Sequence, residues 1–491
     1  MSINLDKINQ QFKSGAFWVS IIVLISIPLT YLRTYLLSNL DSSGNLLGLY
    51  SLMLVFAEVV ITFTLLGGSS AITKYVAKAY EKDGVPSFIV SYLLTSLPLV
   101  FIFFIVVSIT ASFFSNELYL LYSANKLLLF LLAALMFFSQ FFIYTLSGVG
   151  RYKEMSILLQ LQLVVIVLFL TAAYFFTEVK DILIEDPGRA FIFLLISIHI
   201  AIIFISLFRI IGYIAPAKIY PLSFPNGFYR FSLYVYGNSI IRFCYGNLDK
   251  IFVASYLSLA SLGFYYLILQ FSELVRFIPN KLSQVFLGTF SNYISTQDEL
   301  VVSEKYGSVS RYVILICSLI SIPLVLFSSE ILSYFGDWVE SPEYFVYLVL
   351  TMNFACLGNL NSMVVLAFDK AKLFLLNNLS VILVQLPIMF IGLESMGILA
   401  AILGKIAGLI VGQIGLMLIV YGAQRKHKLI FPKYFVLSQI LLLVCFFINH
   451  NVEAPFIKVF IVIGACTLSF LFSGFNIREL LFNLKGSKNA K

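Results

Sequence analysis

The sequence predicts an all-α polytopic membrane protein with about fourteen transmembrane helices. It would form two six-helix lobes, related by a pseudo-twofold axis along the membrane normal, plus two C-terminal helices. Three observations predict this. The 491 residues are 60% apolar and only 11% charged, whereas a soluble chain carries about 25% charge. The apolar residues fall in long unbroken runs, which suit spanning helices and not alternating barrel strands. Finally, the basic residues sort by loop, as spanning helices of alternating direction require.

The runs fall near 15–37, 47–69, 87–111, 127–149, 156–177, 190–212, 231–256, 262–286, 309–330, 344–367, 373–393, 397–421, 434–450 and 455–474. Each is long enough for a hydrocarbon core about 30 Å thick. Cations mark the ends in order. Lys7 and Lys13 precede the first run, and Lys74, Lys78 and Lys82 separate the second from the third. Arg151 and Lys153 follow the fourth, Arg209, Lys218 and Arg230 the sixth, and Lys281, Lys305 and Arg311 the eighth. Lys370 and Lys372 follow the tenth, and Arg425, Lys426, Lys428 and Lys433 the twelfth. Arg478, Lys485, Lys488 and Lys491 end the chain. With the N-terminus in the cytoplasm, 23 cations lie inside and 5 outside, so both termini are expected to be cytoplasmic. Outer segments are acidic instead, with Glu178, Asp181, Glu185 and Asp186 in one and Glu330, Asp337, Glu340 and Glu343 in another. The longest connection, near 287–308, is expected to be a loop too short to fold as a domain.

Composition also limits the chemistry. His199, His427 and His450 are far apart, and the five cysteines are dispersed within apolar runs without C-x-x-C spacing, which argues against zinc or thiol redox sites. There is no P-loop, and Gly148 and Gly150 form a lone G-x-G. No cleavable signal is evident. The net charge of +8 is topological and does not point to nucleic acid. No enzyme activity and no resident cofactor are expected. A membrane glycosyltransferase or polymerase would need a sizeable outer loop with catalytic groups.

Two stretches resemble each other. Gly48, Tyr50, Phe56 and Glu58 match Gly263, Tyr265, Phe271 and Glu273 at one offset of 215 residues, and Arg33 matches Lys250 after a two-residue gap. The stretches lie on spans 1–2 and 7–8, six spans apart, so the repeat is parallel. It predicts lobes at 1–212 and 213–421, followed by spans 13 and 14 and a cytoplasmic tail at 422–491.

A charge within the membrane is costly, and such residues usually mark a bundle interior or a wet cavity. Here they are Arg33, Glu58, Arg242, Glu273, Arg276 and Lys405, with Asp249 and Lys250 near the outer end of span 7. Arg242 is mid-span among Tyr236, Asn238, Tyr245 and Asn247, so an anionic ligand or a buried carboxylate must be near. Arg276 follows Glu273 by three residues and either pairs with it or turns to an incoming phosphate. Arg33 and Lys405 either snorkel or face a cavity. Glu58 and Glu273 either take up H+ or Na+ and couple transport to a gradient, or act as fixed counter-ions. Gln140, Gln160, Gln162, Asn353, Asn377, Gln385 and Gln413 either meet sugar hydroxyls or bond between helices.

The strings TYLLS after Arg33, GSSAITKYVAKAY after Gly67, GVGRYKEM after Ser147, LDKIFVASYLSLASLGFYYL after Asn247 and KAKLFLLNN after Asp369 resemble a known family. It is the bacterial polysaccharide flippases (Wzx-like, of O-antigen and capsule type), in the superfamily that also holds multidrug extruders and the lipid II flippase. Family members read G-K where this chain has Asp369-Lys370. The resemblance implies movement of undecaprenyl-diphosphate-linked oligosaccharide across the bacterial cytoplasmic (inner) membrane by alternating access. It also implies a cavity lined by spans 1, 2, 7 and 8, and partners in the polysaccharide polymerase and chain-length machinery. In this reading Arg242, Arg276, Arg33, Lys250 and Lys405 hold the diphosphate, and Glu58, Glu273 and Asp249 supply ion coupling or counter-charge. A multidrug antiporter or a lipid II flippase is the alternative.

Overall fold

The computed structural model describes residues 25–80, 84–110, 116–214, 224–295, 299–336, 338–339, 341–368, 370–423, 433–452 and 454–472. The first residues of span 1, Asp337, Glu340, Asp369 and the tail from 473 lie outside these. Helix is the regular structure throughout the described residues. The elements are α1 (25–40), α2 (Asn45–Thr64), α3 (Gly68–Tyr80), α4 (Val85–Thr110), α5 (Asn116–Gly148), α6 (Tyr152–Phe175), α7 (Thr177–Glu185), α8 (Pro187–Ile214) and α9 (Phe228–Tyr256). They continue with α10 (Leu259–Ser295), α11 (Glu299–Leu326), α12 (Ser328–Ser333), α13 (Pro342–Phe354), α14 (Gly358–Ala367), α15 (Ala371–Met396), α16 (Ile398–Ala423), α17 (Lys433–Asn451) and α18 (Pro455–Phe472).

Every expected span has a helix at its place. Among the described residues ten helices are long and apolar enough to cross a membrane, with Pro455–Leu471 a shorter apolar helix. The long helices α9 and α10 are not among the ten, because their apolar residues are diluted by the charges and amides that the sequence singles out. One expectation needs correction. The segment 287–308 is not a loop, because α10 runs to Ser295 and α11 begins at Glu299. At 37 residues α10 is about 55 Å long, well beyond a core of about 30 Å.

By packing, the chain falls into two compact units that divide at Phe264/Tyr265, inside α10. In the first unit, α5 packs on α8 and α3, and α9 packs on α2 and α3. Ser139 on α5 shares a 2.8 Å hydrogen bond with His199 Nδ1 on α8, so this histidine is a buried packing residue. Gly67 and Gly68 take positive φ and turn the chain from α2 into α3. The α1–α2 turn is built on Asp41. Its carboxylate accepts the Ser43 and Leu46 backbone N–H groups, both at 2.9 Å. Burial alone would raise its pKa, but these hydrogen bonds outweigh that and hold the carboxyl below its ordinary range. The turn brings Gly44, at φ 76°, to the start of α10.

There the repeat becomes visible as contact. A Cβ on Gly48 would collide with the carbonyl of Leu259 and lie 3.1 Å from the nitrogen of Gly263. A Cβ on Gly263 would collide with the carbonyl of Gly44 and lie 3.0 Å from the nitrogen of Gly48. Residues 44 and 48 map onto 259 and 263 at the repeat offset. The contact is therefore reciprocal, as packing about a local twofold requires.

In the second unit, α15 and α16 form the tightest hairpin. Gly404, Gly408 and Gly412 line one face of α16, where a Cβ on each would meet Met389, Gln385 or Val381 of α15 within 3.2 Å. Small residues at four-residue spacing let the backbones approach where no hydrophobic drive operates between helices. Span 10 is broken by a 3-10 turn at Ala355–Leu357, and amides hold the break. Asn353 donates to Ser321 at 3.0 Å and accepts from Gln439 at 2.7 Å, and Tyr306 donates to Asn361 at 2.6 Å.

Candidate functional site

Arg242 is the central residue of the 29-residue helix α9, with about 21 Å of helix on either side. Two contacts fix α9 on α2. Tyr236 donates to the Phe63 carbonyl at 2.9 Å, and Phe243 meets the Phe63 ring edge-on at 6.0 Å. In this setting Arg242 is exposed, with the Tyr144 hydroxyl of α5 within its field. Among the described residues it makes no ion pair and no hydrogen bond. No carboxylate among the described residues pairs with it. Glu58 on α2 is likewise exposed and without an ion pair among the described residues. An exposed charge at mid-membrane depth demands water or a counter-charged ligand, because hydrocarbon would cost about 2.5–3.5 kcal/mol or more.

Other charges of the first unit are turned inward. Arg33 is 6% exposed and does not snorkel. Its Nη1 donates to the Tyr50 hydroxyl at 3.2 Å, and its guanidinium carbon sits 4.7 Å from the Tyr50 ring centroid. Tyr50 is itself buried against Phe191. Asp249 is fully buried and accepts the Lys250 backbone N–H at 2.9 Å. Lys250 is half-buried, and its Nζ donates to Asn247 at 3.0 Å.

On the second unit, Glu273 and Arg276 do not pair. Glu273 is exposed, while Arg276 is half-buried and points Nη1 at the Met352 sulfur, 3.8 Å away. Lys405 on α16 is buried, so it does not snorkel either. Gln140, Asn353, Asn377, Gln385 and Gln413 are all buried. Asn353 bonds between helices, and so does Asn377, which donates to the Gly412 carbonyl at 3.2 Å. This favours the packing reading for these two.

Two features escaped the sequence reading. Tyr50 was matched in the repeat, but its role as the partner of Arg33 was not foreseen. Lys458, at the start of span 14, is one of the five cations that the topology places outside. In the structure its side chain is 4% exposed and bonds Glu330 of α12 at 2.7 Å. Partial burial acts to raise the Glu330 pKa, but the Lys458 hydrogen bond and charge outweigh it, so the carboxyl lies below its ordinary range. The N-terminal end of α18 is pinned there. Among the described residues no group of three His, Cys, Asp or Glu side chains could hold a metal.

No family model and no curated protein matches the sequence. Solved structures do match. An inward-facing multidrug resistance MATE family transporter of the MOP superfamily is similar at TM-score 0.63 and 14% identity, covering 82% of this chain and 99% of its own. The lipid II flippase MurJ, in an inward closed conformation, is similar at TM-score 0.63 and 15% identity, covering 96% of this chain and 99% of its own. A MOP superfamily transporter from Pyrococcus furiosus, described as having a binding pocket of reversed polarity, is similar at TM-score 0.56 and 15% identity over 84% of this chain. At these identities the likeness establishes the fold: the chain is a polytopic helical membrane protein with the architecture of MOP-superfamily transporters.

Proposed function

We propose that this protein is a flippase that carries an undecaprenyl-diphosphate-linked oligosaccharide from the cytoplasmic to the outer leaflet by alternating access, for O-antigen, capsule or exopolysaccharide synthesis. The observation that carries the reading is Arg242, an exposed mid-membrane cation with no carboxylate partner among the described residues. A guanidinium there suits a diphosphate, whose oxygens it grips in bidentate fashion. A drug-cation exporter would call for a carboxylate in that role. The greater coverage by the lipid flippase, 96% against 82% for the MATE transporter, supports the same choice.

In this reading Arg242 is the principal diphosphate contact of the first unit; Arg276 is a candidate cation of the second unit. Lys250 is a weaker candidate because Asn247 already holds its ammonium. Arg33, Asp249 and Lys405 are buried and set the local field. Glu58 and Glu273, exposed and without an ion pair among the described residues, are the sites for H+ or Na+ coupling. The lobes are those expected at 1–212 and 213–421, with the remaining helices appended, in the cytoplasmic membrane with both termini inside. The membrane field assists, because moving about two negative charges outward across an inside-negative 100 mV releases roughly 4–5 kcal/mol.

The test is made in the host lacking this gene. Lipid-linked oligosaccharides are extracted, and their leaflet is read with an impermeant glycosidase. Inward-facing intermediates that wild type moves outward and Arg242→Ala does not would support the reading. Intermediates already outside in the deletion strain would overturn it.

A further inference from the structure

A cleft between α11, α17 and α18 has no role in the site above. It is a shallow surface groove and not an enclosed cavity, with about 260 Å³ of empty volume that includes open solvent, and it is too small for a helix about 10 Å across. Its lining is graded with depth. Arg311 and Tyr434 stand at the ends of α11 and α17 that the basic flanks assign to the cytoplasm, and Ser469 lies near the matching end of α18. Ile314 and Leu315 lie about one helical turn deeper, and Leu441 about 10 Å deeper. The guanidinium carbon of Arg311 is 5.8 Å from the Tyr434 ring centroid, and its Nε donates to the Gly307 carbonyl at 3.4 Å. Among the described residues its Nη groups make no ion pair. The Ser469 hydroxyl is buried and has no hydrogen-bond partner among the described residues, although it lines the cleft. Beside the cleft α17 exposes Ile440, and farther along the same two helices Phe447 and Phe460 are exposed, a surface suited to hydrocarbon.

Ser318 and Ser438 also line the deeper part, but each hydroxyl donates to its own helix, to the Ile314 carbonyl at 2.9 Å and the Phe435 carbonyl at 2.8 Å. A cation and an unused hydroxyl at headgroup depth, above a floor whose own hydroxyls are already bonded, match one amphiphile. We infer that this cleft binds an anionic glycerophospholipid of the cytoplasmic leaflet, its phosphate on Arg311 and an acyl chain along Ile314, Leu315 and Leu441. The charge is the discriminating element. A basic residue near the surface favours anionic over zwitterionic lipid by about fivefold, and the Tyr434 ring holds the guanidinium in place. The site is independent of what the protein transports.

The experiment is native mass spectrometry of the purified full-length protein titrated with phosphatidylglycerol, phosphatidylcholine, inorganic phosphate or undecaprenyl phosphate. Wild type should bind phosphatidylglycerol about fivefold more tightly than phosphatidylcholine. Arg311→Gln should abolish that preference. Leu441→Trp should weaken both lipids, with size-exclusion elution confirming that each variant is folded. An undiminished preference in Arg311→Gln would overturn the assignment. So would displacement of the lipid by inorganic phosphate, which would mark a free-phosphate site. Arg311-dependent binding of undecaprenyl phosphate that phosphatidylglycerol does not compete away would also overturn it and give the cleft to the carrier lipid. None of these readings requires transport, so the flippase proposal can fail while this one stands.

Discussion

The Gly48–Gly263 crossing makes a quantitative demand that ordinary helix packing would not. Gly48→Ala puts a methyl into the Leu259 carbonyl, and Gly263→Ala puts one into the carbonyl of Gly44. Both obstacles are backbone, so no rotamer change relieves them and the two helices must move apart. Overpacking of this kind costs about 1–3 kcal/mol, and each single variant should lose about that much. The two methyls oppose the same approach. Once the first has separated the helices, the second enters space already opened. The double variant should therefore cost about as much as the worse single one. The coupling energy should be about 1–2 kcal/mol, within the range for residues in contact. The assay is a double-mutant cycle on detergent-solubilised protein, using SDS-driven unfolding followed by far-UV circular dichroism. Singles within about 0.5 kcal/mol of wild type would refute the close approach. Additive costs would refute the shared crossing while leaving the individual contacts intact.

The other predictions concern the charges. Arg242→Lys should retain part of the transport lost in Arg242→Ala, because the charge remains and the bidentate fork does not; equal activity of Lys and Arg in the leaflet assay would refute the forked contact. Tyr50→Phe removes the acceptor that Arg33 uses while keeping the ring beneath it, and should cost about 1.5–3 kcal/mol in the same unfolding assay; no loss would mean the hydrogen bond carries no net weight. Glu330→Gln leaves the ammonium of Lys458 buried without its counter-charge and should cost about 1–3 kcal/mol, below the value for fully buried pairs because Glu330 is 31% exposed. The Glu330 carboxyl is held below its unfolded value of about 4.5, so its contribution is full above that pH and is lost as pH falls through the lower folded value. Wild type should therefore lose stability below about pH 4.5 more steeply than Glu330→Gln; parallel pH curves would refute the pairing.

Hydropathy and loop charge made the helix order legible, because a spanning run must be long, and nothing else in a chain this apolar competes with that signal. The same arithmetic failed at 287–308, where hydropathy marks the end of the membrane and not the end of the helix. The repeat was readable as matched letters, yet the reason Gly48 and Gly263 match lies in the backbone-to-backbone approach, which a lone glycine in a string does not announce. Among the charges, sequence could name the expensive ones but not their neighbours. Arg33 and Lys405 looked alike as residues one step from water, and both proved to be buried. Arg276 and Glu273 had the spacing of a helical ion pair and did not form one, because spacing permits such a pair without outbidding the surroundings. Lys458 and Glu330 are 128 residues apart, beyond the reach of any local pattern.

The helices that fall short of a simple membrane criterion, α9 and α10, are the ones bearing Arg242, Glu273 and Arg276. This is expected if they were never meant to be surrounded by lipid. A fully lipid-bathed helix gains nothing from a central arginine and pays its insertion cost. A helix along a wet path recovers that cost whenever an anion arrives. A bare diphosphate faces a Born penalty of tens of kcal/mol in a dry core, while the membrane field returns only about 2.3 kcal/mol per charge per 100 mV. The field can bias the direction of transport but cannot open the route. In the flippase proposal fixed cations and water do that, and the polar character of these two helices would make room for both.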